Sequence, residues 1–129
     1  MSKPRVLLVD DNQAILDCLV KMLGRDYTIV GALRDGPRTL DAVAILKPDV
    51  VVMDISMPEI SGLAIARLLR ESPPAPPVVF VTVHEDPEFR EAAHDVGAAG
   101  YVVKSAMETE LKPALELALK GQRFIVPAT

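Results

Sequence analysis

The chain has 129 residues, about the usual size of one domain, and carries no internal repeat. Half of it is hydrophobic and 25% is charged, which excludes a disordered chain, and a formal net charge of −4 excludes a domain that binds nucleic acid by itself through a broadly basic face. The one cysteine, Cys18, excludes an internal disulfide or a cysteine-built zinc site, and no apolar run is long enough to span a membrane. Met1-Ser2-Lys3-Pro4 leads straight into a strand-like run and lacks the build of a signal peptide, so the cytoplasm is the expected compartment.

Apolar runs of strand length alternate with segments of helical period, the pattern of a parallel sheet with crossover helices. Arg5–Val9 reads as the first strand, and its unbroken apolar run suits a sheet buried on both faces. Asp10-Asp11-Asn12 then leads, with a cap residue, into a helix carrying Ile15, Leu16, Leu19, Val20 and Leu23 on one stripe and stopping at Gly24. Residues 27–33 form the second strand. Asp35-Gly36-Pro37 is a turn that places Pro37 at a helix start, with Leu40, Val43, Ala44 and Leu46 facing inward and Lys47-Pro48 ending the helix. Val50–Met53 is the third strand and reaches Asp54. A loop over residues 55–60 precedes a helix over Gly62–Arg70.

Ser72-Pro73-Pro74-Ala75-Pro76-Pro77 reads as a stiff connection rather than a docking motif for a domain that binds polyproline helices. Val78–Thr82 is the fourth strand. Residues 87–96 are a short helix closed by Gly97, and residues 101–104 are the fifth strand. Leu111, Ala114, Leu115, Ala118 and Leu119 mark a last helix ending at Gly121, with Pro113 expected near its first turn, where the missing N–H costs least. The result is an α/β fold, a flavodoxin-like doubly wound sheet of five parallel strands in the order 2-1-3-4-5 with five helices.

In such a sheet ligands sit beyond the carboxyl ends of the strands, near the switch point beside the first strand. Those ends carry Asp10 and Asp11, Asp54, Thr82 and Lys104. Three carboxylates sharing a half-buried site require a cation or a raised pKa. A hard divalent cation such as Mg²⁺ answers this with oxygen ligands. A lysine and a hydroxyl on the facing wall make the site complementary to a phosphoryl group. Asp54, alone at the end of the central strand, is best placed to act as nucleophile and form an acyl phosphate. Taken singly each of these residues has an ordinary explanation as a cap, a solvated lysine or a strand residue, and it is their convergence from four strand ends that points to chemistry.

The motifs Leu7-Leu8-Val9-Asp10-Asp11, Val52-Met53-Asp54-Ile55-Ser56-Met57-Pro58 with Gly62, Phe80-Val81-Thr82, and Gly97-Ala98 with Gly100-Tyr101-Val102-Val103-Lys104 resemble those of receiver domains of two-component response regulators. The resemblance covers about residues 4–121. Ser rather than Pro after Lys104, and the ending Gly121-Gln122-Arg123-Phe124-Ile125, look like the subfamily joined to a LuxR-type helix-turn-helix domain. The resemblance implies that Asp54 accepts phosphate from a phosphohistidine of a sensor histidine kinase. It implies Mg²⁺ held directly by Asp11, Asp54 and the Ser56 carbonyl, and by Asp10 through water. Lys104 would pair with the phosphoryl group, and Thr82 and Tyr101 would be the switch pair that alters the surface of the fourth helix, fifth strand and fifth helix. Ser56 and His84 would tune the lifetime of the acyl phosphate. Residues 1–121 would be the receiver and residues 122–129 a tail or the start of a linker to an absent DNA-binding output domain, with a homodimer formed on phosphorylation.

Two rivals stand beside this reading. An Asp-nucleophile phosphatase or phosphotransferase of haloacid-dehalogenase type would place a second acid two residues after Asp54, where this chain has Ser56. A flavodoxin-like nucleotide or flavin binder would place a Gly- or Ser/Thr-rich loop after the first strand, where this chain has Asp10 and Asp11.

Overall fold

The computed structural model describes residues 2–123. Its elements in chain order are β1 (Arg5–Val9), α1 (Gln13–Leu23), β2 (Thr28–Leu33), α2 (Thr39–Leu46), β3 (Val50–Met53), α3 (Gly62–Arg70), β4 (Val78–Thr82), α4 (Pro87–Asp95), β5 (Gly100–Val103) and α5 (Met107–Leu119). The strands pair in the order β2-β1-β3-β4-β5, all parallel. The expected flavodoxin-like order is therefore the observed one.

The near-continuous apolar strands are explained by burial on both faces of the sheet. In the three central strands, alternate residues serve opposite layers. Val6, Leu8, Val50, Val52, Val79 and Val81 pack with Leu16, Leu19 and Leu23 of α1 and with Leu111, Ala114, Leu115 and Ala118 of α5. Leu7, Val9, Val51, Met53 and Phe80 pack with Val43 of α2, Ile65, Ala66 and Leu69 of α3, and Ala93 of α4. Each fully buried leucine contributes about 1.5–3 kcal/mol through lost apolar exposure, so these two aliphatic layers hold the sheet without disulfides or many aromatics. Register aligns the strand ends: Val9 faces Met53, Met53 faces Phe80, and Thr82 faces Val103. The residues that follow the strands are thus delivered to one edge.

Several expectations are corrected. Pro37 does not begin α2. The Asp35 side chain accepts a hydrogen bond from the Arg38 N–H at 3.1 Å and the Gly36 carbonyl accepts from Thr39 at 2.9 Å, so the turn is locked through residue 38 and the helix starts at Thr39. Ala44 points outward with Ile45, because buried Thr39 and Val43 set the inward face; an all-round apolar helix hides its own periodicity. Lys104 lies outside β5 and opens a 3₁₀ turn, Lys104–Ala106. Pro113 sits inside α5, two turns from its start, because Met107 and Leu111, one turn apart and both buried, extend the helix toward the N-terminus. Its missing N–H would have met the carbonyl of Thr109, and both residues are exposed, so water can satisfy that carbonyl. The expected tail, residues 122–129, lies mostly outside the described residues.

Two glycines permit close approaches between elements. A Cβ on Gly62 would fall 2.2 Å from the Asp54 carbonyl oxygen, so only glycine lets α3 start directly against the end of β3. Gly97 closes α4 at φ +81, and a Cβ there would lie 2.6 Å from the Arg70 guanidinium of α3. The turn after α4 is therefore seated against α3.

Candidate functional site

The acidic end of β1 is organised by its own backbone. The Asp10 side chain accepts from the Asn12 N–H at 2.9 Å, and the Asn12 side chain caps α1 by accepting from Ala14 and Ile15 at 2.9 and 3.3 Å. This pair of Asx turns points Asp10 into the sheet edge instead of solvent. Arg34, at the end of β2, donates to the Asp11 carbonyl at 3.2 Å and holds the loop from below; nothing in the sequence pattern singled it out. Asp54 follows β3, its N–H donating to the Val9 carbonyl at 3.0 Å and its carboxylate accepting from the Ile55 N–H at 2.7 Å.

The structure brings the predicted carboxylates together. Asp10, Asp11 and Asp54 each offer an oxygen within 4.8 Å of the others. Asp10 is 1% exposed and Asp54 5% exposed. Lys104 reaches across from the 3₁₀ turn, its Nζ 3.0 Å from Asp10 Oδ2 and 3.0 Å from Asp54 Oδ2. Burial raises the Asp10 pKa above the ordinary carboxylate value, against the lowering from the Asn12 N–H and Lys104. Burial pulls the Lys104 ammonium down, but its hydrogen bonds to Asp10 and Asp54 outweigh that and leave its pKa raised. The site holds more negative charge than one lysine balances, which is the electrostatic setting for a hard cation with oxygen ligands.

The opposite wall is a hydrogen-bonded set around the loop after β4. Thr82 is fully buried and its hydroxyl accepts from the His84 N–H at 3.3 Å. Tyr101 is buried with its hydroxyl donating to the His84 carbonyl at 2.7 Å. Burial pushes the Tyr101 pKa up to about 12. The Arg90 guanidinium lies 4.6 Å above the Tyr101 ring, a cation–π contact from α4. The His84 ring meets Ser56 Oγ at 2.6 Å through Nε2 and stacks on Phe89 with centroids 4.0 Å apart and planes 11° from parallel. Ser56 and His84, separated by 28 residues in sequence, thus close one side of the site together.

Phe89 and Arg90 were missed by the sequence reading. The signal available was small: Phe89 is one of only three phenylalanines, placed in the first turn of the helix that follows the site loop. His94 and Cys18 do not join the site; His94 lies beside Asp95 at 3.8 Å and Cys18 packs half-buried on the α1 side of the core.

Comparison with known proteins agrees with this arrangement. Residues 6–116 match the response regulator receiver domain family. The chain is 41% identical over 125 residues to response regulator GacA of Pseudomonas viridiflava, covering 95% of this chain and 58% of that protein. It superposes on the crystal structure of a LuxR-family two-component response regulator from Aurantimonas sp. SI85-9A1 with a TM-score of 0.90 at 31% identity, covering 98% of this chain and 91% of the other. It superposes on the signal receiver domain of the response regulator NarL from Mycobacterium tuberculosis with a TM-score of 0.89 at 28% identity, covering 95% and 100%. The chain spans less than two thirds of the length of the curated relatives it matches, 58% in the case of GacA.

Proposed function

This chain belongs to the response regulator receiver domain family, and from that premise we propose that Asp54 is the phosphoacceptor of a phosphorelay, taking its phosphoryl group from a phosphohistidine of a sensor histidine kinase. The observation that carries the reading is the convergence of Asp10, Asp11, Asp54 and Lys104 on one buried sheet edge. Three close carboxylate oxygens with one ammonium fit a hard divalent cation, so Asp11, Asp54 and the Ser56 carbonyl would hold Mg²⁺ directly and Asp10 through water. Bound there, Mg²⁺ supplies charge neutralisation for an incoming dianionic phosphoryl group.

An Asp54 carboxylate oxygen attacks phosphorus, the phosphorus–nitrogen bond of the donor breaks, and its electron pair returns to the imidazole. The product is an acyl phosphate. Lys104, already hydrogen-bonded to Asp54, turns to the new phosphoryl oxygens, and Thr82 offers a hydroxyl from the opposite wall. The phosphoryl group adds about −1.5 to −2 charge, and any difference in how two conformations accommodate it shifts their populations. The Thr82–His84–Tyr101 hydrogen bonds join the end of β4 to β5, and Arg90 of α4 lies over the Tyr101 ring, which supports the α4 and β5 part of that face as the output surface. Ser56 and His84 meet at the rim, which supports their role in limiting water access to the acyl phosphate.

The domain is a signalling unit, and the likeness to GacA and to a LuxR-family regulator supports transcriptional output through a DNA-binding domain following residues 122–129. A homodimer formed on phosphorylation and a cytoplasmic location complete the proposal. No helix among the described residues is long and apolar enough to cross a membrane. The relatives named above are response regulators and lend the haloacid-dehalogenase reading no support, and Ser56 stands where its second acid would be. Intact-mass measurement after incubation with acetyl phosphate tests the chemistry. One added phosphoryl group that requires Mg²⁺ and is absent in Asp54→Ala is the expected result; an unlabelled wild type that its kinase also fails to label would overturn it.

A further inference from the structure

His84 is engaged through both its backbone and its ring. Its N–H and carbonyl are held by Thr82 and Tyr101, one edge of its ring by Ser56, and one ring face by Phe89. With the backbone pinned, the near-parallel stack on Phe89 restricts how the side chain can turn. Phe89 stands in the first turn of α4, half-buried against the core layer that also holds Met57. A side-chain path therefore runs Phe89–His84–Ser56 from α4 to the loop after Asp54, separate from the hydrogen bonds through the His84 backbone.

We propose that Phe89 is a positioning residue for the acidic site: by clamping the His84 ring it fixes the loop containing Ser56, and so couples the first turn of α4 to the cation-binding end of the sheet. The contact itself stands on geometry alone; its effect on cation affinity rests on the phosphoacceptor reading above. Coupling of this kind is reciprocal, so a partner that grips the first turn of α4 changes cation affinity by the same factor that the cation changes partner affinity.

The test uses amide hydrogen exchange of cation-free protein at residues 55–61, in wild type, Phe89→Leu, Phe89→Tyr, Ser56→Ala and the Phe89→Leu/Ser56→Ala double variant. Leucine keeps apolar volume without the ring, and tyrosine keeps the stack. Phe89→Leu is expected to raise exchange at residues 55–61 about fivefold and to leave β1 and β3 unchanged; Phe89→Tyr restores the wild-type rate, and Phe89→Leu adds nothing once Ser56 is alanine. Calorimetric titration with Mg²⁺ should show about threefold weaker binding in Phe89→Leu, again only when Ser56 is present. Unchanged exchange at residues 55–61, or an equal rise in the Ser56→Ala background, overturns the clamp. A wild type with the exchange coupling but no Mg²⁺ binding supports the clamp and overturns instead the cation reading of the site.

Discussion

At the carboxyl edge of the sheet, Asp10, Asp54 and Thr82 are polar residues buried against hydrocarbon, and Lys104 spans two of them. At the amino edge the same strands begin behind prolines: Pro4 before β1, Pro48 before β3, Pro76 and Pro77 before β4. Proline is tolerated at a strand start because no ladder donor is needed there. Beside that edge lies a groove of about 680 Å³ between α2 and α3, walled by Leu40, Val43, Leu68, Leu69, Pro74 and Pro76. One edge gathers buried charge that only pairing makes tolerable; at the other the strands start behind prolines, and the charges of Arg5, Lys47 and Asp49 lie exposed to water. The fold is anchored by its aliphatic layers and its amino edge, and the carboxyl edge carries the unstable charge balance that a signal can tip.

The sharpest way to break this contrast is Lys104→Met, which leaves two buried carboxylates without their cation. In metal-free protein near neutral pH it should lose about 3 kcal/mol by chemical denaturation. The loss should shrink as pH falls, because protonating one carboxylate relieves the repulsion, and it should shrink with added Mg²⁺. In the wild type this pairing is fully present below the ordinary lysine pKa and is lost as pH rises through the raised pKa of Lys104. A Lys104→Met variant as stable as wild type at neutral pH would show that the ammonium is not what makes the acidic edge tolerable.

Tyr101 gives a smaller, pH-dependent effect. Its pKa is pushed from 10.0 up to about 12 by burial, so the folded state holds the phenolic proton where the unfolded chain releases it. Below pH 10 the wild type should exceed Tyr101→Phe by about 1 kcal/mol, the worth of its hydrogen bond to the His84 carbonyl. Between about pH 10 and 12 that advantage should fall and reverse, since a group with a raised native pKa costs stability as pH rises. A constant stability difference between the two proteins at all pH values would show that burial does not hold the Tyr101 proton.

The smallest effect belongs to the amino side. Ile45 is 77% exposed on the outer face of α2, so Ile45→Gln should change stability by no more than about 0.5 kcal/mol and leave phosphorylation untouched. A larger loss in thermal melts would mean that the outer face of α2 is covered in solution.

Much of this architecture was legible because parallel strands advertise themselves: Val50–Met53 is wholly apolar between Asp49 and Asp54, and Val78–Thr82 is apolar up to Thr82 and begins behind Pro77. The acidic constellation was legible for the same reason, since strand ends are where such a sheet delivers its ligands. What stayed hidden depends on packing rather than period. Ala44 looks inward by composition, and only the burial of Thr39 and Val43 turns it out. Pro113 argues locally against a helix interior, and the buried Met107 and Leu111 overrule it. The links from His84 to Ser56 and Phe89 cross three elements, and no one-dimensional pattern records that an imidazole and a phenyl ring will lie parallel.

The seat of Gly97 against Arg70 has a mechanical consequence. It brings the far end of α4 close to α3, while the near end meets the site loop through Phe89 on His84 and meets β5 through Arg90 on Tyr101. A nine-residue helix is about 13 Å long, so with its fulcrum at the glycine end its other end reaches the loop that carries His84. A tilt of a few degrees is then negligible at the fulcrum and largest at Phe89, which turns a small rearrangement at the sheet edge into a displacement that a partner surface can register.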